Sequence, residues 1–192
     1  YQITVVGLTP FQLVLIGTAL EVGVLLFEIP TGIVADVYSR RLSIIIGVLL
    51  NGVALVGMGL LPSFWGLVVT NILWGISYAF FSGALEAWFV DEVGQGRAEN
   101  GFLRSSQVGQ FVGLVSILPG IVLGSIAVAL PFIVSGALMI AWGVVLVLIM
   151  PENGFTPKPK AEREGWRDMY RTLRTGYELV RGRRALTGLM IV

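Results

Sequence analysis

Three carboxylic acids lie inside or beside long apolar runs of the sequence, where an ionised group is costly. Glu21 is closest to the middle of its run, and Glu28 follows seven residues later, so both side chains fall on one face of a helix. Glu86 lies toward the end of a later run. Such acids usually face a cavity or a partner, so we predict these three as a candidate proton or substrate-cation site. For Glu21, a neutral acid hydrogen-bonded between helices is the open alternative.

A second group with chemical content lies between the first two apolar runs, at Gly32, Asp36, Arg40 and Arg41. Gly32 would allow another helix to approach closely. Asp36 lies near a predicted helix end, within reach of nearby cations. Arg40 and Arg41 can anchor the next helix at the lipid headgroups. From these residues alone, a generic basic segment between two spans is the open alternative.

The sequence contains no cysteine and no histidine. Disulfides, thiolate metal sites and cysteine nucleophiles are therefore excluded within it, and the commonest general base and metal ligand is missing. We predict neither an enzyme nor a metal or cofactor site, and we expect no nucleic-acid partner.

The elements that must position these residues are membrane helices. Hydrophobic residues make up 55% of the 192 and charged residues 13%, whereas soluble domains carry about 25% charged residues. The mean hydropathy is +0.84. Because a bilayer core requires about 20 apolar residues in a helix, and because the runs lack a polar face, a soluble protein with buried helices is disfavoured. We predict an all-α membrane protein with a transmembrane bundle over residues 1–150, whose spans lie at about 11–34, 42–61, 64–90, 103–123 and 131–150.

The placement of the 13 basic residues predicts the orientation of this bundle. Two lie at positions 40–41, two at positions 97 and 104 in and after a polar loop predicted over 91–100, and nine between 158 and 184. The turns near Pro62 and Ser125 carry no charge. Five successive crossings put the basic segments on one side, which the positive-inside rule makes cytoplasmic.

The segment after the fifth span has a different composition. We predict residues 151–184 to be a cytoplasmic connector containing an amphipathic helix that lies at the membrane surface or against the cytoplasmic ends of the spans; a solvated connector with a half-buried face is the alternative. Residues 185–192 resemble the start of a further transmembrane helix, so we expect the chain to be an internal piece of a longer protein. The helical spacing that predicts the amphipathic helix involves Trp166, Met169, Tyr170, Leu173, Tyr177 and Val180.

The spacing of Gly32, Asp36, Arg40 and Arg41 resembles the signature loop between helices two and three of the major facilitator superfamily (MFS). Residues 27–32 and 83–92 also resemble segments of bacterial members. The resemblance implies that the five spans are helices two to six of an N-terminal six-helix half. The implied fold is an MFS-type helical bundle, two six-helix halves around a central cavity that alternates its opening.

The resemblance also implies roles for individual residues, with some departures. The loop is expected to gate the cytoplasmic side, although Val37 replaces the usual basic residue and Ser39 the usual glycine. We predict that Asp36 pairs with Arg104, with Asp91 as a further charged partner on that side. Asn71 occupies the position of an arginine that some exporters use in proton coupling, which weakens any arginine-dependent relay. The fourth span loosely resembles an antiporter motif, or else uses small residues for packing and a proline for a kink, at Gly109, Gly113, Pro119, Gly120 and Gly124.

The function implied by the resemblance is secondary active transport of a small solute by alternating access, with an efflux-type permease favoured. A nutrient uptake symporter of the same family and a non-transporting membrane scaffold are the alternatives. The expected partners are a small-molecule substrate, a coupling proton or other ion, the lipid bilayer and a missing C-terminal half of the same chain. The expected location is a bacterial plasma membrane, with several spans.

Overall fold

The computed structural model describes residues 1–3 and 5–156. These residues form six α-helices: α1 Pro10–Val37, α2 Arg40–Leu60, α3 Phe64–Val93, α4 Gln95–Val115, α5 Ile117–Ile126 and α6 Leu130–Ile149. With α4 and α5 taken as one span, five helices are long and apolar enough to cross a membrane. The all-helical class and the five spans predicted from the sequence are therefore confirmed for this part of the chain.

Part of the predicted organisation falls outside these residues. The amphipathic helix of the connector and the further span over 185–192 lie beyond residue 156. The described residues that follow α6, 150–156, form a non-helical segment with a bend at 153–154.

The prediction of a polar loop over residues 91–100 is wrong. The third helix continues through Val93 and the fourth begins at Gln95, so Gly94 alone separates them. Gly94 has φ +81°, a backbone conformation that a side chain disfavours and glycine adopts freely. The charged residues at 91 and 92 therefore extend α3 instead of forming a loop.

Helix α2 lies at the centre of the bundle. It packs against α3 on one side and α6 on the other, while α1 packs mainly on α3. Close approach depends on glycine: a Cβ at Gly52 would lie 2.8 Å from the carbonyl oxygen of Gly136 on α6, and one at Gly23 would lie 2.9 Å from that of Ile72 on α3. In lipid, helices associate through such close backbone packing, because apolar surface gains little by leaving lipid tails.

Interhelical hydrogen bonds supplement this packing. The buried Ser43 hydroxyl on α2 donates to the carbonyl of Phe80 on α3 at 2.8 Å. The buried Thr31 hydroxyl on α1 lies 2.8 Å from the carbonyl oxygen of Phe27 in its own helix and 2.9 Å from that of Ala79 on α3. These contacts join α1, α2 and α3 near the end of the bundle where α2 begins.

The fourth span is broken where α4 ends and α5 begins. Ser116 separates the two helices, and Pro119 follows three residues later. A proline has no N–H to donate, and its ring clashes with the carbonyl four residues before it, here that of Val115. The interruption at Ser116 lies within one turn of the proline that the kink interpretation of this span invokes, and α4 and α5 together still form one span.

Candidate functional site

The loop-motif residue Arg40 lies in the first turn of α2 and contacts three groups on two other helix ends. Its guanidinium pairs with Asp91 in the last turn of α3 and lies 3.8 Å from the carboxylate of Asp36 in the last turns of α1. It also donates to the carbonyl of Ala87 at 3.0 Å. The Arg40 side chain is only 17% exposed, and so little water screens these charges.

The start of α2 is capped by an acid from the far end of the described chain. Ser39 is the N-cap residue, and its hydroxyl oxygen accepts from the N–H of Leu42 at 2.8 Å. The same hydroxyl donates to the carboxylate of Glu152 at 2.8 Å, which also accepts from the N–H of Arg41 at 2.9 Å. An anion at a helix N-terminus is stabilised by the unpaired N–H groups and by the helix dipole.

Arg41 connects the same helix end to α6. Its guanidinium donates to the carbonyl of Val147 in the last turn of α6. Arg41 therefore joins α2 to α6 by a hydrogen bond, besides contributing a positive charge to this end of the bundle. The Nε atoms of Arg40 and Arg41 are both buried without a hydrogen-bond partner in the described part of the chain.

Two side chains of α3 hold the residues that follow α6. The indole N–H of Trp88 donates to the carbonyl of Pro151 at 2.8 Å. The carboxylate of Glu92 accepts from the N–H groups of Asn153 and Gly154 at 2.6 and 2.9 Å. The ends of α1, α2, α3 and α6 are thereby joined in one polar network.

A cavity of about 270 Å³ lies between α1 and α3 beside this network. Glu28, Asp36 and Arg40 give it charge, and Thr31 and Ser82 add hydroxyl groups. The rest of its wall is largely glycine and alanine, with one phenylalanine. A cavity with charged groups at one end of a helical bundle can bind a polar or charged group or receive another part of the protein.

The three acids predicted from the sequence are not brought together. Glu21 and Glu28 lie on the exposed side of α1, and Glu86 is exposed on α3. Within residues 1–3 and 5–156, none of the three carboxylates has a hydrogen-bond or ion-pair partner. The described helices therefore provide no partner for a neutral, hydrogen-bonded Glu21, and of the three acids Glu28 is the one that lines the cavity.

Two expectations about the loop motif differ from the structure. Nothing in the described chain lies within 4 Å of a Cβ built at Gly32, so this glycine lines open space and mediates no close helix contact there. Arg104 is exposed on α4, and α4 packs on α3 and α5 but not on α1. Among the described ion pairs, Asp36 and Asp91 are both joined to Arg40.

Sequence reasoning missed the contribution of Glu152, Glu92 and Trp88 to this site. Glu152 could have been found, because it is an acid placed directly after the last apolar span, on the side that carries Arg40 and Arg41. Glu92 and Trp88 gave no comparable signal, since their partners are backbone groups whose position depends on the path of the chain after α6.

Comparison with known proteins gives a family for this architecture. A family model described as Major Facilitator Superfamily matches residues 3–192. An uncharacterized MFS-type transporter of Bacillus subtilis, YxaM, is 28% identical over 116 residues, which are 60% of this chain and 27% of that protein. An uncharacterized MFS-type transporter of Methanocaldococcus jannaschii, MJ1317, is 29% identical over 129 residues, which are 64% of this chain and 31% of that protein.

The two matches cover more than half of this chain but less than a third of each relative. The chain spans 27% of the Bacillus subtilis protein and 31% of the Methanocaldococcus jannaschii protein. No solved structure matches the chain. Both relatives are described as transporters and neither as an enzyme, in agreement with the sequence prediction.

Proposed function

Because the chain belongs to the major facilitator superfamily, we propose that it forms helices two to six in the N-terminal half of a secondary transporter that moves a small solute by alternating access. On this assignment α1, α2 and α3 are helices two, three and four, α4 with α5 is helix five, and α6 is helix six. A preceding first helix and a second six-helix half would complete the transporter. Residues 151–184 connect the two halves.

The observation that carries the proposal is the position of Arg40 between two carboxylates. Asp36 on α1 and Asp91 on α3 both face its guanidinium, and the cavity beside them opens between the same two helices. An ion-pair network at the end of a bundle has two discrete arrangements, formed and broken. That property is what a gate between alternating states requires.

We assign the end of the bundle that carries this network to the cytoplasmic side of a bacterial plasma membrane. Of the 13 basic residues, 12 lie in the segments that this orientation makes cytoplasmic, and Arg104 lies at the cytoplasmic start of the predicted fourth span, in agreement with the positive-inside rule. In one state of the transporter the second half closes over the network, and in the other it withdraws and exposes the cavity between α1 and α3.

A cysteine reporter tests the gate without knowledge of the substrate. Gly83 lines the cavity, and a Cβ there meets nothing within 4 Å, so Gly83→Cys can be placed in the complete transporter with any other cysteines removed. In inside-out vesicles, Asp91→Asn and Asp36→Asn should each raise the rate at which N-ethylmaleimide labels position 83. Both variants should insert normally and transport poorly. Unchanged labelling together with normal transport by both variants would rule out the gate.

The acids on the exposed side of α1 support a cation or proton pathway. Glu21 and Glu28 lie two turns apart on the same helix, and each is exposed in the described bundle. We assign them, together with Glu86, to the substrate or coupling-proton path, and we propose efflux as the direction. Efflux of ethidium from energised cells that express the complete protein tests the direction, whereas uptake of labelled nutrients tests the symporter alternative.

The non-transporting scaffold is distinguished by a different result. A scaffold needs no alternating access, so its reporter at position 83 would label at the same rate in the presence and absence of a proton gradient. A transporter coupled to protons should show two different rates, because the gradient changes the populations of its two states.

A further inference from the structure

The turn that follows α6, residues 151–155, lies against the same helix end that carries Asp91. We name it the connector turn. Trp88 and Glu92 on α3 hold its backbone by three hydrogen bonds, and the ring of Phe155 lies 5.7 Å from the guanidinium carbon of Arg40. The connector turn therefore touches both members of the Arg40–Asp91 pair or their immediate neighbours.

The closest of these contacts is between Gly154 and the backbone of Asp91. A Cβ at Gly154 would overlap the carbonyl oxygen of Asp91 and lie 2.7 Å from its carbonyl carbon. Real Cβ atoms do not approach backbone atoms so closely, so any residue other than glycine here must move the connector turn away from α3. Gly154 thus permits a direct backbone contact with the residue that pairs with Arg40.

The hydrogen bonds from the connector turn stabilise the negative charge of Glu92, which is otherwise unfavourable at its position in α3. Asp91 and Glu92 both lie in the last turn of α3, where the negative end of the helix dipole disfavours acids and no basic residue is present. Arg40 compensates Asp91. The N–H groups of Asn153 and Gly154 compensate Glu92, because hydrogen bonds to a carboxylate are among the strong ones.

We propose that Glu92 and Gly154 are positioning residues for the Arg40–Asp91 ion pair, through which the connector turn fixes the last turn of α3 and so controls the gate. Glu92 acts by binding the backbone of the turn, and Gly154 by letting the turn lie directly on Asp91. Movement of the connector is thereby transmitted to the ion pair. The proposal rests on the proposed function only for the role of the pair as a gate.

The first test compares two glycines in the complete transporter with the Gly83→Cys reporter. Gly154→Ala should raise the labelling rate of position 83 by N-ethylmaleimide in inside-out vesicles roughly three- to tenfold, where tenfold corresponds to about 1.4 kcal/mol in the opening equilibrium. Gly96→Ala is the matched control, since a Cβ at Gly96 meets nothing within 4 Å. Equal labelling of the two variants would overturn the positioning role of Gly154.

The second test uses conservative replacement of Glu92. Glu92→Gln keeps an oxygen that can accept from Asn153 and Gly154, whereas Glu92→Ala removes it. The labelling rate should rise in Glu92→Ala and return most of the way to the wild-type value in Glu92→Gln. A rate that is the same in both variants would contradict the proposed hydrogen-bonding role, and this pair of variants remains informative if Gly154→Ala fails to fold.

A double-mutant cycle separates this proposal from the gate itself. The thermal unfolding midpoint of the detergent-solubilised complete protein is measured for Asp91→Asn, Gly154→Ala and the double variant. If Gly154 positions Asp91, Asp91→Asn lowers the midpoint less when Gly154→Ala is already present. Additive shifts of the unfolding midpoint would overturn the positioning role of Gly154. A non-additive cycle together with unchanged labelling of position 83 in Asp91→Asn would overturn the gate and leave the positioning role intact.

Discussion

Arg40 and Asp91 pair across the ends of two antiparallel helices, although 51 positions separate them in the sequence. Arg40 lies at the N-terminal end of α2 and Asp91 at the C-terminal end of α3, so each charge is disfavoured by the dipole of its own helix. The pair is favourable because each charge compensates the other. Separation of the two therefore leaves both helix ends destabilised, so breaking the pair requires compensation from elsewhere in the protein.

Removal of the acid from this pair should destabilise the bundle. Asp91→Asn leaves the largely buried Arg40 with Asp36 at 3.8 Å as its remaining ionic partner among the described residues, at a cost of about 2 kcal/mol. The midpoint of thermal unfolding in detergent should fall accordingly. Glu99→Gln is the matched control, because Glu99 is exposed on α4; an equal shift in both variants would show that the Arg40–Asp91 pair has no special weight.

Replacement of Arg40 by lysine should not preserve the network. The guanidinium reaches Asp91, Asp36 and the Ala87 carbonyl together, whereas a lysine ammonium is a compact point charge without a planar fork. N-ethylmaleimide should therefore label position 83 nearly as fast in Arg40→Lys as in Asp91→Asn. Arg97→Lys, at an exposed position of α4, should leave that rate unchanged, and wild-type labelling in Arg40→Lys would mean that charge alone suffices.

Loss of the N-cap of α2 should cost more than loss of the N-cap of α3. Ser39 and Ser63 each accept from a backbone N–H in the first turn of their helix, and an N-cap serine contributes about 1 kcal/mol. Ser39 also donates to Glu152, and so Ser39→Ala leaves that carboxylate with fewer donors. The unfolding midpoint should fall further in Ser39→Ala than in Ser63→Ala; the opposite order would argue against the capping role of Glu152.

A methyl group at the α1–α3 crossing should disrupt packing. A Cβ at Gly75 would overlap the carbonyl oxygen of Leu20, and overpacking of this kind costs about 1–3 kcal/mol. A Cβ at Gly17 on α1 meets nothing within 4 Å, so Gly17→Ala should be neutral or stabilising because alanine favours the helix. Thermal unfolding of the two variants measures the difference, and similar midpoints would contradict the close crossing.

The mid-span acid should affect transport and not folding. Glu21 is exposed on α1 and lacks a described partner, so Glu21→Gln should leave the unfolding midpoint unchanged. If it lies on the proton or cation path, the variant should slow ethidium efflux and flatten its pH dependence. The functional assignment fails if both the rate and the pH profile stay at their wild-type values, with Glu99→Gln measured in parallel.

The sequence was sufficient for the spans because length and apolarity alone determine which segments can cross a bilayer. It was insufficient at residues 91–100, where a single glycine at positive φ replaced an expected loop. It also did not pair Arg40 with Asp91, since that contact depends on which helices pack together, whereas Asp36 and Arg40 are only four residues apart. Pairing of this kind is a property of tertiary contacts, which periodicity does not encode.

Within the site, too, some residues could be recognised from the sequence and others depend on tertiary contacts. Arg40 and Asp91 could be singled out as charges next to apolar runs, and the loop spacing drew attention to Asp36. The contacts of Glu92 and Gly154 are made with backbone groups of the segment after α6. No residue type marks such contacts in advance, so they emerge only when the chain path is known.

The break between α4 and α5 has a mechanical consequence. Pro119 offers no N–H to the carbonyl of Val115, so bending at Ser116 ruptures fewer backbone hydrogen bonds than bending elsewhere in an intact helix. We therefore expect the fourth span to bend more easily at Ser116 than within α4 or α5. Such a bend would let α5 tilt at one membrane face with less displacement of the segment beside Gly94 at the other.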